Sequence, residues 1–278
     1  MEITFDKWDS KSKGIQSNPA FKETIESLDK QLMFVWQLSD LIWSNGNVNF
    51  FNHGNRRFMM RTELIDSTES TLKSICILIN LGNFSDVNVL VRKFRDDLFL
   101  YLYFLEVVNR YDYKKVSKHD NNCFDWMEGK LKNFKLTDIL IFLMKNKELE
   151  KVINRHGLRK VWDDIGVNLN NFVHANGLSY VQMNYANFNP KDIKKILKDI
   201  KFKIEYIVSI FVVLIILIKP SLITASDYID ALDLGVQPEI DSQYFVAPFV
   251  QAYLDEHIVN LNPEIKKFIK DNVYMDIK

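Results

Sequence analysis

The sequence predicts an all-α protein: a helical bundle over residues 18–219, preceded by a flexible N-terminus (1–17) and followed by a partly helical tail (220–278). Three observations indicate this fold class. Apolar residues recur at three- and four-residue spacing over long stretches, which is typical of amphipathic helices. Only 9 Gly and 6 Pro occur in 278 residues, and such sparse turn signals favour long helices over many short strands. The 20 Phe, 11 Tyr and 5 Trp supply apolar volume for a substantial core.

The first two helices are predicted on either side of a polar connection. Asn18-Pro19 offers a capping residue and a proline at the first helical position, and apolar residues then follow helical spacing up to Gly46. Residues 47–55 are polar and rich in Asn, which is typical of a loop. A second helix is expected from about 56 to 81, with Gly82 as its C-terminal stop.

A long central helix and several shorter ones are expected next. Ser85 is suited to cap a helix, and the apolar stripe that follows it continues to Val108. Its width indicates a central position in a bundle. Shorter helices are expected around 123–132, 136–150 and 158–176.

The last helix of the bundle combines a basic part with an apolar part. Asn189-Pro190 repeats the cap-plus-proline start, a lysine-rich stretch follows, and residues 206–218 are apolar except for Ser209. This run is shorter than the roughly 20 residues of a membrane span. We therefore expect a buried central helix, with membrane attachment through residues 206–218 as the alternative.

The tail differs from the bundle in charge and composition. From Pro220 onward the chain carries 4 Lys against 10 Asp and Glu, and it holds four of the six prolines. Short helices are expected at 247–258 and 263–272, and the tail is expected to pack on the bundle. Residues 1–219 carry 32 Lys and Arg against 26 Asp and Glu, a balance that is compatible with a polyanion partner without requiring one.

Several classes of protein are not expected. The sequence has no P-loop, dinucleotide, nucleophile-elbow or HExxH pattern, and its five histidines are scattered, so neither a metal nor a nucleotide cofactor is predicted. Cys76 and Cys123 lie in unrelated contexts and form no disulfide framework. The N-terminus is polar and acidic, unlike a secretory signal. A reducing, cytoplasmic compartment is the simplest expectation.

His174 is the first candidate functional residue. At 100° per residue, Leu158, Trp162, Ile165, Leu169 and Phe172 cluster on one side of their helix, and His174 lies roughly opposite with Lys160, Asp163, Val167 and Asn170. An imidazole that titrates near neutrality can act as a general acid or base. Asn170 and Asn171, one turn earlier, could orient it. The alternative is a surface histidine near a helix C-terminus, where a positive charge is favoured.

Arginines and lysines supply candidate anion-binding groups. Arg92 and Arg95 could bind phosphate, since the guanidinium is planar and bidentate; alternatively Arg92 forms an i,i+4 ion pair with Asp96. Lys160, Lys194 and Lys198 are candidates for contacts with a nucleic-acid backbone. A solvated helix face is the alternative for these lysines, because acidic residues interrupt it.

Two stretches together resemble a known family. Residues from Phe84 to Asp97, and later those from Leu169 to Gly177, are similar to the two signature helices of the HEPN superfamily, most nearly its abortive-infection branches. In those branches, a helix with Arg and an acidic residue is followed much later by a helix that ends in His and a small residue. The likeness covers roughly 56–218, and its two motifs are short.

The resemblance implies an all-α bundle that dimerises. Active members are metal-independent endoribonucleases, often toxins or antiphage effectors, whose arginine stabilises the charged phosphorane while histidine moves protons. Their motif is Arg, then four to six residues, then His. His174 matches the histidine, but Asn168, Leu169 and Asn170 stand where the arginine is expected.

Two functional hypotheses follow from this departure. In the first, the chain is a bacterial defence or toxin-type endoribonuclease, a homodimer in which Arg92 or Arg95 supplies the missing cation beside His174. In the second, it is a non-catalytic helical interaction module that binds another defence protein or an antitoxin. RNA is a partner only in the first hypothesis.

Overall fold

The computed structural model describes residues 6–131, 135–185 and 192–278, and it confirms the all-α fold class. The predicted helix start at Asn189-Pro190 lies outside these residues. The first helices are α1 (Asp6–Gln16), α2 (Pro19–Ser44), α3 (Glu63–Leu81), α4 (Phe84–Arg110), α5 (Lys118–Met127), α6 (Leu136–Leu143) and α7 (Lys147–Arg155). The later helices are α8 (Leu158–Val173), α9 (Leu178–Gln182), α10 (Ile193–Ile218), α11 (Asp227–Asp233), α12 (Pro248–Tyr253), α13 (Val259–Leu261) and α14 (Pro263–Asn272).

Residues 6–16 form a helix within the segment 1–17, for which a flexible N-terminus is expected. This helix is α1, and Ile15 at its end is buried. Two side-chain hydrogen bonds hold this helix in place. Ser12 Oγ donates to the carbonyl oxygen of Asn80 at 2.5 Å, and Lys11 Nζ donates to the carbonyl oxygen of Met183 at 3.3 Å. Although this segment is mostly polar, one buried apolar side chain and two side-chain hydrogen bonds suffice to dock the short helix.

A β-hairpin replaces the polar loop and the first turns of the expected second helix. Strands β1 (Asn49–His53) and β2 (Arg56–Met60) pair antiparallel, with Phe51 opposite Phe58. These two rings are buried with their centroids 5.3 Å apart. Alternate residues of each strand therefore face the interior, and α3 begins only at Glu63.

The chain divides into two compact units, each assembled from three separated segments. The first unit comprises residues up to 35, 67–96 and 159–208, and the second comprises 36–66, 97–158 and 209–278. In the first unit, buried side chains come from α2, α3, α4, α8 and α10; examples are Leu28, Leu72, Phe94, Leu169 and Ile204.

The tail belongs to the second unit and packs within it. Ser209 Oγ lies 3.3 Å from the hydroxyl of Tyr253, and the Asn45 amide donates to the carbonyl of Thr224 at 2.9 Å. The apolar run of residues 206–218 is buried, as predicted for a central helix. Within the described residues, no helix is both long enough and apolar enough to cross a membrane.

Alanine substitutions at Gly14 and at Gly82 should change the free energy of unfolding in opposite directions. Gly14 lies in α1 with open space around the position of a Cβ, so Gly14→Ala should stabilise by about 0.5–1 kcal/mol. Gly82 has φ +72°, and a Cβ there would collide with Ile15 Cδ1 and lie 2.7 Å from Lys11 Cε. Gly82→Ala should therefore destabilise by about 2–3 kcal/mol in urea unfolding.

Gly129→Ala is the matched control, because Gly129 has φ +66° and no neighbouring atom within 4 Å of a Cβ. It should show the backbone cost alone, about 1 kcal/mol. Equal losses at Gly82 and Gly129 would contradict the docking of α1 against Gly82.

Candidate functional site

Helix α8 presents the two faces that its sequence predicts. Its inward side chains are buried, namely Leu158, Trp162, Ile165 and Leu169. Its outward side chains are exposed, namely Lys160, Asp163, Val167, Asn170 and His174. Phe172 lies between the two classes. His174 is therefore a surface residue, as its helical angle predicts.

His174 occupies the C-cap of α8, because the helix ends earlier than expected. Ala175 adopts a left-handed conformation with φ +48°. The amide of Asn176 donates to the carbonyl of Asn171 at 3.0 Å, and that of Ala175 donates to Phe172 at 3.3 Å. These two bonds form a Schellman motif, which satisfies the last carbonyls of the helix. The chain turns at Ala175, two residues before the glycine predicted as the stop, and His174 lies on the outside of this turn.

The two asparagines before His174 have different roles from the predicted one. Asn171 Nδ2 donates to the hydroxyl of Tyr180 at 3.2 Å, and Asn171 Oδ1 accepts from Asn176 at 3.2 Å. Asn171 thus fastens α9 to the end of α8. The side chain of Asn170 is exposed, and only its carbonyl accepts from the His174 amide. Among the described residues, neither asparagine side chain bonds the imidazole.

Arg95 is buried, so the structure does not present it to a phosphate in solution. Its side chain is packed between α4 and α8, where Nε and Nη2 donate to one oxygen of Asp96 at 2.9 and 2.8 Å and the guanidinium lies over the Trp162 ring. The residue is only 3% exposed, and burial lowers the pKa of its guanidinium, an effect that Asp96 opposes. A Cβ on Gly166 would lie 3.3 Å from Arg95 Nη1, and this close approach explains the glycine in α8.

The position of Arg95 also separates it from His174. Gly166 precedes His174 by eight residues, which corresponds to about 12 Å along a helix. Within one copy of the chain, the Arg95 guanidinium therefore lies two turns away from the imidazole. The prediction that Arg95 joins His174 in one site is not supported by this geometry.

Arg92 forms the ion pair that the sequence offers as its alternative role. Its Nε lies 3.5 Å from the second carboxylate oxygen of Asp96, so one carboxylate serves two arginines. Arg92 Nη1 is buried and has no hydrogen-bond partner among the described residues. The Arg92–Arg95–Asp96 group therefore retains one positive charge and one unused donor.

Lys203 forms a buried site that the sequence pattern does not predict. Its ammonium donates to Asn88 Oδ1 at 2.9 Å, Asn168 Oδ1 at 2.7 Å and Asp199 Oδ2 at 2.5 Å. All three protons are used, and the residue is 2% exposed. Burial lowers the pKa of Lys203, and the charge of Asp199 opposes this shift. Lys203 belongs to the lysine-rich stretch of the last bundle helix, and its ammonium joins α4, α8 and α10.

The remaining candidate lysines are exposed, which agrees with both a solvated face and an anion-binding face. Lys194 and Lys198 lie on α10 near Glu23, to which Lys201 donates at 2.7 Å. The pKa of Glu23 is lowered chiefly by Lys201, with smaller contributions from Lys198 and Lys194. Lys160 is exposed on α8.

No family model, curated protein or solved structure matches this chain. The described residues include no group of three or more His, Cys, Asp or Glu side chains placed to hold a metal ion. Function is therefore inferred from the geometry and from the resemblance of the two sequence stretches.

The Lys203 site should be a principal source of stability in the first unit. Lys203→Met removes the donor shared by Asn88 and Asn168, and it leaves the buried Asn88 oxygen without this donor. We expect a loss of about 2–4 kcal/mol in urea unfolding. Lys198→Met, on the exposed face of the same helix, should change stability by less than about 0.5 kcal/mol.

Asn88→Leu and Asn168→Leu, added to Lys203→Met, should recover most of the lost stability, because the polar partners are then removed together. A Lys203→Met variant as stable as the unmodified protein would show that the ammonium is dispensable.

Proposed function

We propose that the chain is a helical interaction module that binds a protein partner through the surface around His174. We call this surface the His174 surface and define it as the exposed residues Val167, Val173, His174, Leu178 and Val181. Val167 is 63% exposed and Leu178 is 68% exposed. Isolated exposed aliphatic residues are common on monomers, whereas larger contiguous apolar patches mark interaction sites. The four aliphatic residues of the His174 surface lie in the last two turns of α8 and in α9.

One observation carries this proposal: His174 is exposed, whereas two cations packed against α8, Arg95 and Lys203, are buried and already paired. Arg95 is buried against Trp162, and the Lys203 ammonium is saturated by its three oxygen partners. Asn171 is committed to Tyr180. An exposed imidazole among aliphatic side chains suits a protein interface, where it adds a hydrogen bond to apolar burial.

The resemblance to abortive-infection HEPN proteins supports a choice of partner for this module. Non-catalytic members of that superfamily act as binding or regulatory modules, and the asparagines at 168 and 170 replace the motif arginine. The partner proposed on this basis is a second bacterial defence protein or an antitoxin.

Charge placed on the His174 surface should abolish partner binding. In Val167→Asp/Leu178→Asp, two carboxylates would be desolvated at the interface, so capture of the partner should fall by about tenfold or more. The measurement is quantitative affinity capture from the native cell, followed by mass spectrometry. Ile77→Asp, an equally exposed aliphatic position on α3, is the matched control and should capture the partner normally.

Circular dichroism melting would verify that both variants fold. Equal recovery of every captured protein by the unmodified chain and by the double variant would overturn the proposed interface.

A metal-independent endoribonuclease formed by two copies is the second candidate, and the exposure of His174 favours it. An imidazole at the surface could meet its symmetry mate across a dimer, with the partly exposed Arg92 side chain contributing a phosphate contact. The RNA 2′-hydroxyl would then attack phosphorus while one His174 accepts its proton, and the bond from phosphorus to the 5′-oxygen would break, leaving a 2′,3′-cyclic phosphate. The His174 of the second copy would donate a proton to the departing 5′-oxygen, so no metal is needed.

RNA cleavage in the presence of EDTA tests this second candidate. If His174 is the general acid or base, His174→Ala should lower the cleavage rate by about 10²–10⁴-fold. His53→Ala changes another exposed histidine, in β1, and should leave the rate unchanged. Cleavage that is absent, or equal in all three proteins, would remove the nuclease candidate.

A further inference from the structure

A cavity of about 320 Å³ lies in the second unit, between the loop that follows α2 and three segments of the tail. The loop contributes Asn45 and Asn47. The tail contributes Gln243 and three tyrosines, Tyr228, Tyr244 and Tyr274. The volume falls at the lower end of the range for small-molecule sites, and polar groups converge on it from separate parts of the chain.

The walls of this cavity are held by hydrogen bonds among the segments that form it. The amide of Asp276 donates to the carbonyl of Tyr244 at 2.9 Å, and the amide of Ala225 donates to the carbonyl of Phe245 at 2.8 Å. The side chain of Asn45 is fixed to the Thr224 carbonyl at 2.9 Å. The cavity is thus positioned before any ligand arrives, which lowers the entropic cost of binding.

The lining side chains are neutral and combine aromatic faces with amides and hydroxyls. None of the described side chains that line the cavity is charged. Tyr244 and Tyr274 are both exposed, with ring centroids 6.0 Å apart at an interplanar angle of 73°. In this edge-to-face arrangement the edge of one ring lies against one face of the other, so the pair itself leaves the remaining ring faces uncovered for a planar ligand.

These features favour one class of ligand. Aromatic faces stack on nucleobases, and Asn or Gln amides pair with base edges through two hydrogen bonds. A phosphate has no cation to bind here, and Asp227 and Asp230 beside Tyr228 add negative charge. We propose that this cavity binds a nucleobase or an unphosphorylated nucleoside. The site is independent of the proposed partner interface, which lies in the first unit.

Calorimetric titration of the full chain tests this ligand class. The probes are adenosine, guanosine, cytidine and uridine, their 5′-monophosphates, and methyl glucoside as a neutral polyol. We expect at least one nucleoside to bind, its monophosphate to bind about tenfold more weakly or worse, and methyl glucoside not to bind. Tyr274→Ala should weaken nucleoside binding by about tenfold or more, while Tyr274→Phe retains the stacking face and most of the affinity.

Tyr113→Ala removes an exposed tyrosine that does not line the cavity and should bind the nucleoside normally. Thermal melting verifies the fold of each variant. The proposal is overturned if no nucleoside binds, if methyl glucoside or a monophosphate binds more tightly, or if Tyr274→Ala binds as well as Tyr113→Ala.

Discussion

The buried ammonium of Lys203 is the interaction on which the arrangement of the first unit depends. Its nitrogen donates hydrogen bonds to oxygen atoms of α4, α8 and its own helix α10. Removing a charge from water costs several kcal/mol, and only a complete set of partners offsets that cost. The three helices are therefore restricted to positions from which Asn88, Asn168 and Asp199 all reach the same atom. Apolar packing alone would tolerate small shifts of one helix against another, whereas this contact does not.

The Lys203 contact also determines which side chains of α8 are available to a partner. Its inner face is occupied by Asn168 on Lys203 and by Trp162 and Gly166 against Arg95. Arg95 and Lys203 are thus used inside the unit, and the outer face of α8 carries Lys160, Asp163, Val167 and Asn170, with His174 at its C-cap. This division explains how a sequence can resemble a nuclease signature while its cations stabilise the fold. It also makes His174 available only to something outside the chain.

The sequence predicts the fold class and the direction of His174 because both follow from periodicity over long helices. It misses the hairpin at 49–60, where two short strands carry only a few alternating apolar residues within an Asn-rich stretch. It does not predict the burial of Arg95 and Lys203, since these residue types are rarely buried unless paired. Their acidic partners, Asp96 and Asp199, are close in sequence. The groups that enclose them, Trp162, Asn88 and Asn168, come from distant parts of the chain, so no local pattern indicates the burial. The early end of α8 depends on the left-handed conformation of Ala175, which an alanine in the sequence does not indicate.

The interleaved segments of the two units have a consequence for synthesis of the chain. The first unit has all of its segments once residue 208 has emerged, but the second also requires 209–278. At ribosomal rates of roughly 5–20 residues per second, the last segment follows after about 4–14 s. During that interval, side chains of α4 that pack against residues after 208 remain uncovered; Tyr101, for example, contacts Phe211 with ring centroids 6.2 Å apart. A nascent chain in this state is a natural substrate for a chaperone that binds exposed apolar segments.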